Sequence, residues 1–153
     1  MKNAPLDHRL PTELRDLRES VAQYSRDVIA PAIGELYINH EFPYDLVRGM
    51  ADMGLFGLPF PEEFGGMGGD YFALCIALEE VARVDSSLAI TLEAAVSLGA
   101  MPIHRFGTPE QKNTWLPKLT SGHMIGAFGL TEPGAGSDAG GMRTTARLDN
   151  GEW

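Results

Sequence analysis

The chain has 153 residues, room for one packed domain or for one domain and the start of another. Its hydrophobic share of 44% and charged share of 22% are ordinary for a globular protein in water. A formal net charge of -9 without a Lys/Arg run excludes nucleic acid as an expected partner and argues against a polybasic membrane anchor, yet leaves room for an anionic cofactor held by backbone N–H groups.

The opening Met1-Lys2-Asn3-Ala4-Pro5-Leu6-Asp7 has neither the apolar centre of a signal peptide nor the Arg/Ser-rich, acid-free character of a transit peptide. No run approaches the roughly 20 apolar residues of a membrane span. One cysteine, Cys75, allows no internal disulfide. A cytoplasmic protein with no membrane partner is therefore expected.

A first helix is predicted from Thr12 as its N-cap, with Leu14, Leu17, Val21, Tyr24 and Val28 in one apolar stripe and Pro31 ending or kinking it. A short helix over 44–53 carries Leu46, Met50 and Met53 on one face, and Gly54 stands where a helix stops. Residues 54–69 are rich in Gly and Pro but too apolar for a solvated linker, so this loop is expected to pack on the core. Asp70 caps a helix to about Arg83, and Ser86 caps another to about Leu98, with Gly99 beyond it. Both are apolar nearly all round, which predicts central, buried helices and an inert core role for Cys75. Thr108-Pro109-Glu110-Gln111 has the chemistry of a capping box and opens a helix through Trp115 and Leu116 that is disturbed at Pro117.

After Gly122 the character changes. Ile125 to Leu130 reads as a short buried strand, 131–141 as a glycine-rich loop, and 142–148 alternates like a strand. Asp149-Asn150-Gly151 is a hairpin turn with almost nothing after it, which suggests a truncated chain. The predicted organisation is an all-α unit over 1–122 and the opening strands of a β unit over 123–153.

The chemistry concentrates in Phe128-Gly129-Leu130-Thr131-Glu132-Pro133-Gly134-Ala135-Gly136-Ser137-Asp138. Glycines free backbone N–H groups to converge on an anion, and Thr131 and Ser137 add hydroxyls. Gly134, Gly136 and Ala139 match the dinucleotide fingerprint in letters only, because that fingerprint needs a helix starting at the loop. No nucleotide-hydrolysing P-loop is present. A small-residue surface turn is the bland alternative.

This segment resembles the signature of the acyl-CoA dehydrogenase family, in which aromatic-x-apolar-Thr/Ser-Glu-Pro precedes Gly-x-Gly-Ser-Asp. Pro61-Glu62-Glu63-Phe64-Gly65-Gly66-Met67-Gly68 is similar to a second family loop, and Phe106-Gly107-Thr108-Pro109-Glu110-Gln111-Lys112 to a family helix start. The resemblance covers the chain from about residue 12 to its end. It implies a mainly α fold: an N-terminal helical bundle of the acyl-CoA dehydrogenase type, followed by the first strands of a β-barrel-like middle domain.

It also implies FAD, and an activity that takes a proton from Cα of an acyl-CoA thioester and a hydride from Cβ to flavin N5, giving the trans-2,3-enoyl-CoA. By resemblance Phe128, Gly129, Leu130, Thr131, Glu132, Pro133, Gly134, Ala135, Gly136 and Ser137 form the flavin-contacting loop. Phe128, Leu130 and Thr131 lie along the ring, and the Thr131 hydroxyl faces its pyrimidine end, where donors favour the reduced form. Ser137 would contact the CoA portion, and Glu132 would hold the loop. An electron-transfer flavoprotein as acceptor and a homo-oligomer are implied for the complete protein. An oxidase-type member using O₂, or a truncated non-catalytic paralogue acting as an assembly or binding module, are the rival readings.

Elsewhere, Glu79 and Glu80 are adjacent on a helix and point about 100° apart, so they read as a solvated or salt-bridged face and not as an acid/base dyad. Glu93 lies on the apolar helix that the resemblance sets along the acyl pocket, a second substrate-binding candidate. Its alternative is an exposed or paired outer position. His8, His40, His104 and His123 lack metal-ligand spacing, so no metal site is expected. No acid of the chain occupies a position matching the family's base, so no catalytic residue is assigned in it. The expected outcome is that the 153-residue chain, mixed anaerobically with FAD and short, medium and branched acyl-CoAs, leaves the flavin's visible band unbleached. Bleaching faster than in a protein-free control would place a base among these residues.

Overall fold

The computed structural model describes residues 10–153; the N-terminal heptad and His8 lie outside the described residues. Among the described residues seven α-helices carry the fold: α1 (Thr12–Tyr24), α2 (Ala30–Asn39), α3 (Tyr44–Asp52), α4 (Tyr71–Ala82), α5 (Ser86–Glu93), α6 (Met101–Phe106) and α7 (Pro109–Thr120). Two junctions are continuous. A π-helical turn, Ser25–Ile29, joins α1 to α2, and a longer one, Ala94–Ala100, joins α5 to α6.

The local signals of the sequence hold at several helix starts. The Asp70 carboxylate accepts the Ala73 N–H at 3.0 Å. Thr108 and Gln111 form the full capping box: the Gln111 side chain accepts the Thr108 N–H at 2.8 Å, and the Thr108 hydroxyl accepts the Gln111 N–H at 3.3 Å. Gly54 takes the left-handed φ of 74° just beyond α3, as a helix stop requires.

Elsewhere neighbours of the expected residues take the roles. Pro11, not Thr12, occupies the first cap, and its carbonyl accepts the Arg15 N–H at 3.1 Å. Asp85, not Ser86, caps α5, its carboxylate accepting the Leu88 N–H at 2.7 Å. Pro31 does not end the first helix. The wide turn before it lets the Ala30 N–H reach back to Ser25, so the missing N–H of Pro31 falls in the first turn of α2, where it is tolerated. Gly99 likewise lies inside a continuous helix, and Pro117 is carried within α7.

α1 packs on α4, α4 on α5, and α7 against the π-helical turn of the long helix. The helix Ser86–Phe106 buries Leu88, Leu92, Val96 and Met101 against this core. Its 21 residues are also long and apolar enough to cross a membrane by length and composition, more than the sequence reading allowed. Here it serves as the core helix of a bundle. The central helices are not buried all round, as expected, but on one side. Phe72 is 52% and Ile90 65% exposed, and Cys75 is exposed instead of sitting in the core. Helical geometry sends adjacent residues to different faces, and among the described residues no further layer covers these.

The loop over 54–69 packs inward as expected. Leu55, Phe56, Leu58 and Phe60 are buried, and its backbone satisfies itself through Met67 N–H to Gly57 O at 2.9 Å, Gly68 N–H to Phe60 O at 2.9 Å and Gly69 N–H to Leu58 O at 3.0 Å. The buried Thr120 hydroxyl, at the end of α7, donates to Phe64 O at 2.7 Å and ties the loop to that helix.

Glu79 and Glu80 are salt-bridged, and the pairing joins α1 to α4. Arg18 reaches Glu79 at 3.1 Å and Glu80 at 3.3 Å; Arg83 reaches the other oxygens at 3.1 and 3.2 Å. The Glu80 side chain is 9% exposed and the Glu79 side chain 52%. Removing Glu80 takes the shielded carboxylate out of the cluster, where water replaces it poorly, whereas removing Glu79 takes out the one that water already reaches. Glu80→Ala is expected to lower unfolding stability by about 2–3 kcal/mol, and Glu79→Ala by no more than about 1 kcal/mol. Urea denaturation with unchanged m-values measures both; equal losses would remove the buried pairing as the cause.

Candidate functional site

The glycine-rich segment leaves the bundle at the end of α7. Gly122 turns the chain at φ 70°, and a side chain there would collide with Ala51. The Met124 N–H donates to Lys118 O at 3.0 Å. Gly126 then lies directly against Gly99 of the long helix: a methyl on either would stand 2.6–2.7 Å from the other's Cα.

From there the chain runs extended. The expected strand at 125–130 forms no ladder, and Ile125, Phe128 and Leu130 are 43%, 50% and 40% exposed instead of buried. The alternating stretch 142–148 likewise forms no regular strand among the described residues. A strand's N–H and C=O groups need a neighbouring strand, and the described residues supply none. The turn signal that follows is satisfied locally. Asn150 and Gly151 take φ of 52° and 88°, and Asp149 and Glu152 exchange two backbone hydrogen bonds at 2.8 and 3.0 Å.

Glu132 organises the loop. Glu132-Pro133-Gly134-Ala135 is a tight turn closed by two backbone bonds of 3.1 Å, with Pro133 where its fixed φ suits the turn, and Ala135 tucked in at 2% exposure. The Glu132 carboxylate accepts the backbone N–H groups of Arg143 at 2.8 Å and Thr144 at 2.9 Å. A ring of some dozen residues is thereby closed by one side chain. The Thr144 hydroxyl, then the Arg143 and Thr144 N–H groups, hold the Glu132 carboxyl below the usual glutamate range. Within the ring the Asp138 carboxylate folds over Gly141, where an added methyl would meet it at 2.9 Å.

Thr131, Gly134, Gly136 and Ser137 are exposed on this loop, beside the half-exposed Phe128 and Leu130. A methyl added at Gly129, Gly134 or Gly136 would meet nothing within 4 Å, and none of the three has a left-handed φ. The folded chain itself does not demand glycine at these positions. Open backbone, two hydroxyls and an apolar edge suit a flat heteroaromatic group with carbonyl and ring-nitrogen acceptors, so the donor set fits a flavin. The loop enters only a three-residue turn, Ala139–Gly141, and no helix, so the dinucleotide-fold reading of Gly134, Gly136 and Ala139 has no structural basis here.

Glu93 closes α5, half-buried, at the start of the π-helical turn, and shares no hydrogen bond with the loop among the described residues. His104 stands edge-on to Phe60 and Phe64, and His123 lies 2.9 Å from the Ser121 hydroxyl. Among the described residues no group of three His, Cys, Asp or Glu converges on one point. The Gly99–Gly126 contact escaped the sequence reading; its only trace there is a glycine on each partner.

A helical bundle that carries an apolar self-bonded loop and delivers a glycine-rich segment from its last helix defines an N-terminal acyl-CoA dehydrogenase domain. The family model of that description, Acyl-CoA dehydrogenase, N-terminal domain, matches residues 11–123. The chain belongs to the acyl-CoA dehydrogenase family. It is 46% identical over 147 residues to the probable acyl-CoA dehydrogenase YngJ of Bacillus subtilis (strain 168), covering 96% of this chain and 38% of that protein. Among solved structures it is similar to a chain from work on the electron transferring flavoprotein of Acidaminococcus fermentans, with TM-score 0.87, 41% identity, and 92% of this chain and 37% of that one covered. It is also similar to acyl-CoA dehydrogenase complexed with FAD from Bacillus anthracis, with TM-score 0.85, 36% identity, and 94% and 24% covered. The chain thus spans well under half the length of these relatives.

The depressed Glu132 carboxyl predicts a pH dependence. A group whose folded pKa lies below its unfolded value contributes stability above the ordinary range, lost as pH falls through the lowered value. The Arg143 and Thr144 amide proton shifts are expected to follow this titration, with a midpoint below that of a free glutamate. In Glu132→Gln that transition disappears. A transition at or above the ordinary glutamate range would rule out the clasp.

Proposed function

We propose that this chain is the N-terminal portion of an FAD-dependent acyl-CoA dehydrogenase that oxidises an acyl-CoA thioester to the trans-2,3-enoyl-CoA. The observation that carries the reading is the loop at 128–137: exposed hydroxyls, an apolar edge and glycines that the folded chain does not need, on a chain of this family. In this reading residues 123–153 begin a second, β-rich unit after the α unit. The similarity to an enzyme complexed with FAD supports the cofactor. The likeness to a chain studied with an electron transferring flavoprotein supports such a protein as acceptor. A homo-oligomer and a cytoplasmic setting belong to the same reading.

Bound FAD supplies the acceptor for the hydride leaving Cβ. The chain's own residues position and desolvate. Phe128 and Leu130 offer apolar surface along one edge of the ring. The Thr131 hydroxyl and the open backbone beside it donate where negative charge gathers on reduction, which favours hydride transfer. Ser137 donates to the CoA portion of the substrate. Glu132 leaves the chemistry to others, since its carboxylate is committed to Arg143 and Thr144. The chain's other prominent carboxylates, Glu79 and Glu80, are committed to Arg18 and Arg83, so the base that takes the Cα proton is not one of these.

The test separates Thr131 from Ser137 in a polypeptide of family length. Thr131→Ala is expected to weaken FAD binding or slow flavin reduction about ten- to a hundredfold. Ser137→Ala is expected to raise KM for acyl-CoA with FAD content preserved. Loss of flavin in Ser137→Ala at unchanged KM would exchange the two roles, and wild-type behaviour in both would end the assignment of this loop.

A further inference from the structure

We infer that the backbone contact between Gly99 and Gly126 is the positioning contact that sets the gap between the long helix and the cofactor loop, an inference that rests on the flavin reading of that loop. The contact is reciprocal. A methyl on Gly99 would sit 2.6 Å from Gly126 Cα and 2.8 Å from its carbonyl carbon, and a methyl on Gly126 would sit 2.7 Å from Gly99 Cα. Neither glycine has a left-handed φ, so both are required by space and not by conformation. The obstructing atoms are backbone, which cannot rotate aside as a side-chain end can.

The helix is built to offer this contact. Gly99 lies in the π-helical turn Ala94–Ala100, where a wide turn re-aims the backbone within an otherwise regular helix. The same helix carries Glu93, six residues before Gly99. On the other side of the contact, Phe128 follows Gly126 by two residues and Thr131 by five. Among the described residues the segment is fastened at Gly122, at the Met124 N–H and at Gly126, and then not until the Glu132 turn. Gly126 is the last fixed point before the residues proposed to meet the ring. Any outward shift there is passed along an extended chain to Thr131.

The test uses Gly99→Ala and Gly126→Ala, with Gly34→Ala on α2 as control, where an added methyl meets nothing within 4 Å. In the full 153-residue chain without ligand, both variants are expected to move the amide NMR signals of 125–131 while those of α1 to α4 stay in place. Gly126 lies outside every helix, so Gly126→Ala decides the matter if Gly99→Ala does not fold. In an FAD-loaded polypeptide of family length, flavin reduction by acyl-CoA is expected to slow about ten- to a hundredfold at retained FAD content. KM for acyl-CoA is expected to change less than about threefold, a split that mere loss of stability does not produce. Unmoved loop amides, or moved amides with an unchanged reduction rate, overturn the inference. If the unaltered protein is not reduced by any acyl-CoA, the function reading falls, and the amide signals still decide whether this contact places the segment.

Discussion

The helix Ser86–Phe106 has to bury an apolar face along its whole length, and the rest of the bundle is arranged to let it. Leu88, Leu92 and Val96 are almost completely enclosed. α4 covers one side, α7 lies against the π-helical turn, and the turn Leu55–Gly57 touches it from a third direction. At roughly 25 cal/mol per Å² of apolar area removed from water, burial of this face outweighs any single polar contact in the molecule. The wide turn at Ala94–Ala100 is tolerated because packing on this face holds the helix whatever its local hydrogen-bond pattern.

The loop over 54–69 shows the cost of covering such a face with irregular chain. Buried N–H and C=O groups need partners, and Gly57, Phe60, Met67, Gly68 and Gly69 find theirs within the loop, while the Phe64 carbonyl takes the Thr120 hydroxyl. Gly66 is forced by this arrangement, since a side chain on it would collide with the Phe60 carbonyl. A second close approach lies between α1 and α3. The Tyr24 hydroxyl donates to Leu46 O at 2.9 Å across the space left by Gly49, and burial, with Asp52 nearby, pushes the Tyr24 phenol up. The bundle is thus fixed by glycines that admit backbone or a ring, and by the Arg18–Glu80 pairing across α1 and α4.

The same device serves the glycine-rich segment with a different result. Gly122 and Gly126 fasten it to the bundle, and Glu132 closes it on itself. Between those anchors Phe128, Leu130 and Thr131 face outward. A segment pinned at both ends and open in the middle can present hydroxyls and backbone donors at a defined place without collapsing onto the helices. That is the property a cofactor-contacting loop needs, because donors already in position are not reorganised when charge develops.

What the sequence determined by itself is local. The Asp70 cap, the Thr108–Gln111 capping box, the Gly54 stop and the Asp149–Glu152 turn each depend on residues within four positions of one another, and all were legible. The three family motifs were legible as well, since they are patterns of residue type. Tertiary structure decided what joins distant residues. Arg18 and Glu80 are far apart in the chain, Gly99 meets Gly126 across two elements, and Glu132 finds its donors 11 and 12 positions on. It also decided where continuity wins over a helix-breaking residue, at Pro31 and Gly99, and which faces stay open, leaving Cys75 and Phe72 exposed where uniform apolarity predicted burial. Caps and turns are closed by hydrogen bonds within a few residues, so their energy is written in a short window of chain. A strand, a buried ion pair or a backbone-to-backbone contact takes its energy from a partner whose position no window contains.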